Sequence, residues 1–303
     1  MPETSAKPSR AAILGAFAIV YLVWGSTYLG IRFAIDSIPP LLMAGSRYAL
    51  AGALLYGFMR WRGEPAPTRR GWGHALLIGF CLLTVGNGGV TLGEQYVSSG
   101  LTALLVAIVP LFLAVLGWLS GLSDRPTPRV ALGLLLGMAG VYLVARTPGE
   151  SHVALPGHEN LGLGLVLVAA LLWAIGSLYA KKHQPASSPF LAGGMQMLCG
   201  GGLMLIIGVS RGETQGFELA AVTTQSWLAY AYLVTLGSIV AFSAYIWLLR
   251  AVEPALAGTN SFVNPVVAVL LGWALAGEQL TAPMLGGAAL IIVAVVLVVL
   301  GKK

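Results

Sequence analysis

Arg47 stands in "LLMAGSRYALAGALL", a run with no other charge. A guanidinium there costs at least roughly 2.5–3.5 kcal/mol at the middle of a bilayer, and less near its edge. It therefore needs a partner or a task, and two fit: an ion pair with Glu94, or anchorage of a substrate carboxylate. Other polar side chains interrupt apolar runs at helical spacing. Thr84, Asn87, Thr91 and Glu94/Gln95 fall on one face of a 3.6-residue helix, as do Thr235, Ser238, Phe242 and Tyr245. Asn260 and Asn264 are one turn apart with Ser261 between them, while Trp24 with Tyr28 and Trp173 with Ser177 add rings and hydroxyls. Such a set packs the apolar part of an amphipathic small molecule and orients its polar end. Each residue also has a plainer use, since Ser and Thr bond their own helix carbonyls and Asn joins helices.

Covalent chemistry has less to work with. No apolar run holds two acids or a histidine cluster, so the expectation is no enzyme, no metal and no cofactor. Glu150, His152, His158 and Glu159 share a solvated loop. Gly133-x3-Gly137 and Gly200-Gly201-Gly202 permit close helix packing and are not phosphate loops, because no Lys-Ser/Thr follows.

The elements that must position these residues are membrane helices. The 303 residues are 57% apolar and 9% charged, against about a quarter charged in soluble proteins. Runs near 12–34, 40–60, 72–95, 99–120, 129–146, 160–180, 189–209, 226–249, 255–276 and 282–301 each approach the roughly 20 residues that span a bilayer. The class is an all-α integral membrane protein of ten spans. The first run has no small-residue cleavage site after it and reads as an anchor, not a removed signal. Cys81 and Cys199 fall inside runs and read as small buried hydrophobes.

The chain also repeats itself. Ala107–Trp118 reads "AIVPLFLAVLGW" and Phe262–Trp273 reads "FVNPVVAVLLGW", with Pro110 over Pro265 and Trp118 over Trp273 at an offset of 155. Earlier in each half an offset of 149 lays Trp24 on Trp173, Gly45 on Gly194 and Gly52 on Gly201. The organisation is a tail (1–11), a five-helix unit (12–146), a connecting periplasmic loop (147–159) and a second five-helix unit (160–301). Five is odd, so the second copy enters the membrane inverted. Inverted repeats give two mirror-related states open to opposite faces, with Pro110 and Pro265 as matched breaks about which the halves rock. With both termini in the cytosol, Lys7, Arg10, Arg60, Arg62, Arg69, Arg70, Arg125, Arg129, Lys181, Lys182, Arg250, Lys302 and Lys303 lie inside. Arg32, Arg146 and Arg211 lie outside, so the net charge of +6 reports orientation and not a nucleic-acid partner.

"YLVWGSTYLGIRFA", "RYALAGALL" and "ALAGTNSFVNPVVAVLLGWALAGEQLTAPMLGGAALIIVAVVLV" resemble the EamA family of the drug/metabolite transporter superfamily. The likeness covers nearly the whole chain, twice, and is most specific from Pro265 to Gly277-Glu278. The first half departs there, with Ser123-Asp124-Arg125. The resemblance implies a ten-helix basket whose cavity is lined by helices 1, 3, 4, 6, 8 and 9. It also implies export of small metabolites, the family including amino-acid exporters of the YddG type. The expected function is export of amphipathic metabolites, amino acids above all, across the bacterial inner membrane. Trp24, Tyr28, Asn87, Thr91, Trp173, Ser177, Ser238, Tyr245, Asn260 and Asn264 would line one cavity. Other substrates of the superfamily, a scaffold or a channel are the alternatives, though no charged ring or carbonyl filter marks a channel. The expected partners are a small-molecule substrate and the lipid bilayer, in a monomer or homodimer. No Asp, Glu or His lies centrally, with Glu94 at the outer edge and His74 near the inner one, so gradient-driven export without proton coupling is expected.

Overall fold

A computed structural model describes residues 9–93, 95–96, 102, 105–145, 158–183, 188–276 and 281–301. These residues form helices and no strand: α1 (Arg10–Ile35), α2 (Pro40–Trp61), α3 (Arg69–Gly93), α4 (Val109–Leu119), α5 (Pro128–Ala145), α6 (Glu159–Lys182), α7 (Pro189–Ser210), α8 (Thr224–Ala251), α9 (Asn260–Ala276) and α10 (Ala282–Leu300). Six of them (α1, α2, α3, α6, α7 and α8) are long and apolar enough to cross a membrane, and α4, α5 and α10 contain shorter apolar stretches. Leu14, Leu22, Leu54, Leu135, Ile206 and Ile292 are exposed, which suits hydrocarbon and not water.

Start signals recur between the halves. Thr68 accepts from the Gly71 N–H at 3.1 Å to cap α3, and Thr223, 155 residues on, accepts from the Ser226 N–H at 3.2 Å to cap α8. Pro40 and Pro189, 149 apart, open α2 and α7. A proline in the first turn gives up only an N–H that has no partner within the helix.

Packing then joins one half to the other. α2 and α7 run antiparallel through glycines: a Cβ on Gly45 would lie 3.1 Å from the Gly201 carbonyl oxygen, and one on Gly52 2.8 Å from that of Gly194. The offset of 149 carries Gly45 to Gly194 and Gly52 to Gly201, so each contact is the image of the other about a pseudo-two-fold axis. α5 and α10 cross in the same way, Gly133 facing Ala294 and Gly140 facing Gly287. α3 lies on α6 (Gly89 on Ala169, Gly93 on Val166), and its image is α8 on α1 (Gly237 on Thr27, Leu233 on Gly30). α4 on α6 and α9 on α1 form a further pair, with Gly117 on Leu178 and Gly25 on Val267. The most extensive seams all pair a helix of the first half with one of the second. The two copies interlock.

Two local features depart from the sequence reading. Phe80–Asn87 in α3 and Leu233–Val240 in α8 are π-helical, 153 residues apart and without a proline in either. Wide turns break the 3.6-residue period, so residues before and after them change face. On the expected α8 face only Thr235 departs. Thr235 is exposed and donates to Ala231 O at 2.8 Å, while Ser238, Phe242 and Tyr245 are buried. Thr84 donates to Gly200 O at 3.0 Å, tying α3 to α7.

The second departure is in the ninth run, read as continuous over 255–276. It divides into Pro254–Ala257, a turn at Gly258 and Thr259, and then α9. Likewise Ala107 and Ile108 form a turn before α4. The chain breaks upstream of both prolines. Pro110 is in the first turn of α4, where its missing donor is harmless, whereas Pro265 lies inside α9 and leaves a carbonyl one turn back without its usual partner. The broken segments touch, Gly258 packing on Pro110 and Leu113.

Candidate functional site

Where the halves meet, Trp24 of α1 and Trp173 of α6 stand edge to face with ring centroids 5.8 Å apart. Tyr245 of α8 completes the group, 5.1 Å from Trp24 and 5.6 Å from Trp173. Hydrogen bonds fix the rings. The Trp173 indole donates to the Tyr245 hydroxyl at 2.9 Å, and Ser177 Oγ meets the same hydroxyl at 2.8 Å while donating to Trp173 O at 2.7 Å. The Trp24 indole donates to Gly237 O at 3.1 Å, a carbonyl within the α8 π segment. Gly86, within the α3 π segment, lies against the Trp173 ring, since a Cβ there would come within 2.9 Å of it. Each tryptophan is thus seated on a glycine of a π turn. Tyr245 is fully buried.

A second group borders the first. Arg47 of α2 is 3% exposed. Its Nη2 donates to Tyr48 Oη at 2.9 Å and to Asn87 Oδ1 at 3.2 Å, and its guanidinium carbon lies 4.5 Å from the Tyr48 ring centroid. Asn87 is the residue after Gly86 in the chain, and the Tyr48 ring is 6.5 Å from that of Phe242, one turn before Tyr245. Arg47 Nε has no hydrogen-bond partner among the described residues. Glu94, the acid expected to pair with it, lies outside the described residues.

The remaining expected residues divide. Ser238, Asn260 and Asn264 are buried, and Ser238 Oγ, Asn260 Oδ1 and Asn264 Oδ1 have no partner among the described residues. Buried polar atoms are nearly always satisfied, which marks these three as places where a polar group can be met. α9 also packs on the α1 face that carries Tyr21, whose hydroxyl lies 2.6 Å from Thr259 Oγ1. Thr91 serves its own helix, donating to Asn87 O at 3.0 Å. Tyr28 is placed on α1 by its backbone, with its side chain outside the described set. Sequence reasoning missed Tyr48, Gly86 and Gly237. The glycines carry no side-chain signal, and Tyr48 is masked by its charged neighbour.

Comparison with known proteins adds the following. The chain matches the EamA-like transporter family twice, over residues 10–146 and 160–300. It is 41% identical over 292 residues to an Escherichia coli K12 protein named "Uncharacterized inner membrane transporter YedA", covering 96% of this chain and 91% of that one. It is 26% identical over 301 residues to a Salmonella typhimurium protein named "Probable amino-acid metabolite efflux pump", covering 94% of each. A crystal structure superposes with a TM-score of 0.78 at 18% identity, over 97% of this chain and 100% of that one, a likeness of fold alone.

Proposed function

The chain belongs to the EamA-like transporter family, and from that premise we propose that it exports small amphipathic metabolites, amino acids foremost, by alternating access through the space around Trp24, Trp173 and Tyr245. The observation that carries the reading is the meeting of two repeat-related tryptophans on that tyrosine, where the interlocked halves converge. Rings there pack an apolar side chain, and the unpartnered oxygens of Ser238, Asn260 and Asn264 are ready for polar groups. The relative named as an amino-acid metabolite efflux pump supports the substrate class. All ten helices cross the inner membrane in this reading, with both termini in the cytosol, as the basic residues require.

Interlocked seams constrain the motion. The halves do not rock as two separate bodies; helices slide along the glycine seams, and the π turns of α3 and α8 supply the compliance. The test is flux of labelled leucine and phenylalanine from proteoliposomes, with and without an imposed pH gradient. Flux above that of empty liposomes, independent of the pH gradient and reduced at least tenfold in Trp173→Ala, is the expected result. No flux above background for these or the other amino acids sinks the proposal.

A further inference from the structure

The guanidinium of Arg47 is the most completely buried charge described in this chain, and every group it touches among the described residues is neutral. We propose that Arg47 anchors a carboxylate of the transported molecule, with Asn87 and Tyr48 holding the guanidinium in place. The substrate class is then a small organic acid, zwitterionic or not, with an apolar body. This inference rests on the transport reading above.

A guanidinium does not give up its proton in a protein, so a cation stands at 3% exposure whatever the surroundings. Tyr48 Oη at 2.9 Å, Asn87 Oδ1 at 3.2 Å and the Tyr48 ring at 4.5 Å stabilise it without cancelling it. Among the described residues no carboxylate reaches it. A buried cation left uncompensated is costly and persists where function needs it.

Geometry narrows the ligand. The hydrogen bonds to Tyr48 and Asn87 both use Nη2, and Nε has no partner among the described residues. The Nη2 hydrogens go to Tyr48 and Asn87, so the Nε–H is the donor left to meet a carboxylate oxygen by a charge-assisted bond. Asn87 and Tyr48 accept through oxygen, which orients the guanidinium without neutralising it. A buried cation with an N–H still to give fits an anion.

Placement supplies the rest of the molecule. Asn87 is the last residue of the α3 π segment, next to Gly86, on which the Trp173 ring lies. The Tyr48 ring reaches Phe242 on the other side. The guanidinium therefore stands at the edge of the aromatic group, where an acid's apolar body would lie on the rings. The repeat position of Arg47 is Gln196, buried and neutral, so one half alone carries the anchor and the ligand has one orientation.

The test uses the purified full chain, with ligand binding read by thermal shift and flux read in proteoliposomes. The probes are matched acids and amides: phenylalanine and phenylalaninamide, leucine and leucinamide, phenylacetate and phenylacetamide. Wild type should prefer the acid of each pair. Arg47→Gln should lower the acid's apparent affinity roughly tenfold to a hundredfold while leaving the amide's within about twofold. Arg47→Lys keeps the charge without the guanidinium's Nε–H and should lie between; it carries the test if Arg47→Gln does not fold. Equal loss for acid and amide, no acid preference in wild type, or restoration of stability in Arg47→Gln by Glu94→Gln would each overturn the anchor while leaving transport standing. Absence of flux for every compound removes the transport reading, and the anchor with it.

Discussion

Tyr245 holds two partners through one oxygen, and that makes a single atom testable. Tyr245→Phe keeps the rings at 5.1 and 5.6 Å from Trp24 and Trp173 but removes the acceptor of the Trp173 indole and the partner of Ser177. Ser177 retains its bond to Trp173 O, so the indole N–H suffers most. At about 0.5–1.5 kcal/mol for each neutral bond, a loss of roughly 1–2 kcal/mol follows. It should appear as a melting point a few degrees lower in detergent; an unchanged melting point would show that the hydroxyl holds nothing. At this scale the sequence was readable where a residue's type alone marks it. Trp24 and Trp173 stand out by size and by their shared offset, and Arg47 by its charge in an apolar run. What Arg47 touches was not readable, because Asn87 lies 40 positions away on a helix whose period changes at that residue.

Among the elements, glycines decide how closely helices approach, and two neighbours make a controlled pair. A Cβ on Gly201 would lie 2.5 Å from Ala49 N and 2.8 Å from Gly45 O, both backbone atoms, whereas one on Gly202 meets nothing within 4 Å. Gly201→Ala must push α2 from α7 and should cost about 1–3 kcal/mol, as overpacking does. Gly202→Ala should be neutral or gain up to about 1 kcal/mol from helix propensity. Melting followed by size-exclusion fluorescence separates them, and similar behaviour of the two variants would contradict the seam. The glycine-rich stretches were legible as packing sites but their partners were not: Gly133 faces α10 and Gly137 faces Phe262 of α9. The π segments left no mark in the pattern at all. They contain no proline, and their wide turns are held by contacts distant in sequence, such as the Trp24 indole on Gly237 O.

For the whole molecule the legible quantity is charge. Apolar runs located most of the helices to within a few residues, since burial in lipid depends on length and hydropathy, which are local properties. α4 and α9 begin well inside their runs, because the chain breaks before them. Orientation follows from where lysine and arginine fall. In a Cys81→Ala, Cys199→Ala background, single cysteines placed in 147–159 should react with an impermeant thiol reagent added outside the cell, and those in 181–187 should not. The opposite labelling would invert the topology. How the halves fit was not legible, because the offsets of 149 and 155 reveal two copies without saying whether they stand side by side or pass through each other.

That they pass through each other has a consequence in time. The last helix, α10, supplies the surface on which Gly133 and Gly140 of α5 rest. Gly133 and its neighbour Ala294 are 294 − 133 = 161 residues apart. At about 5–20 residues per second, a ribosome takes roughly 8 to 32 seconds to cover that distance. Until α10 is made, α5 lacks the surface on which its glycines rest, although α6 and α7 are by then available to α3 and α2. Each helix satisfies its own backbone on entering the bilayer, but its neighbours arrive late and from the far end of the message. A nascent chain stopped short of α10 leaves α5 without its mate, so the closing turns of the last helix complete an assembly begun by the first.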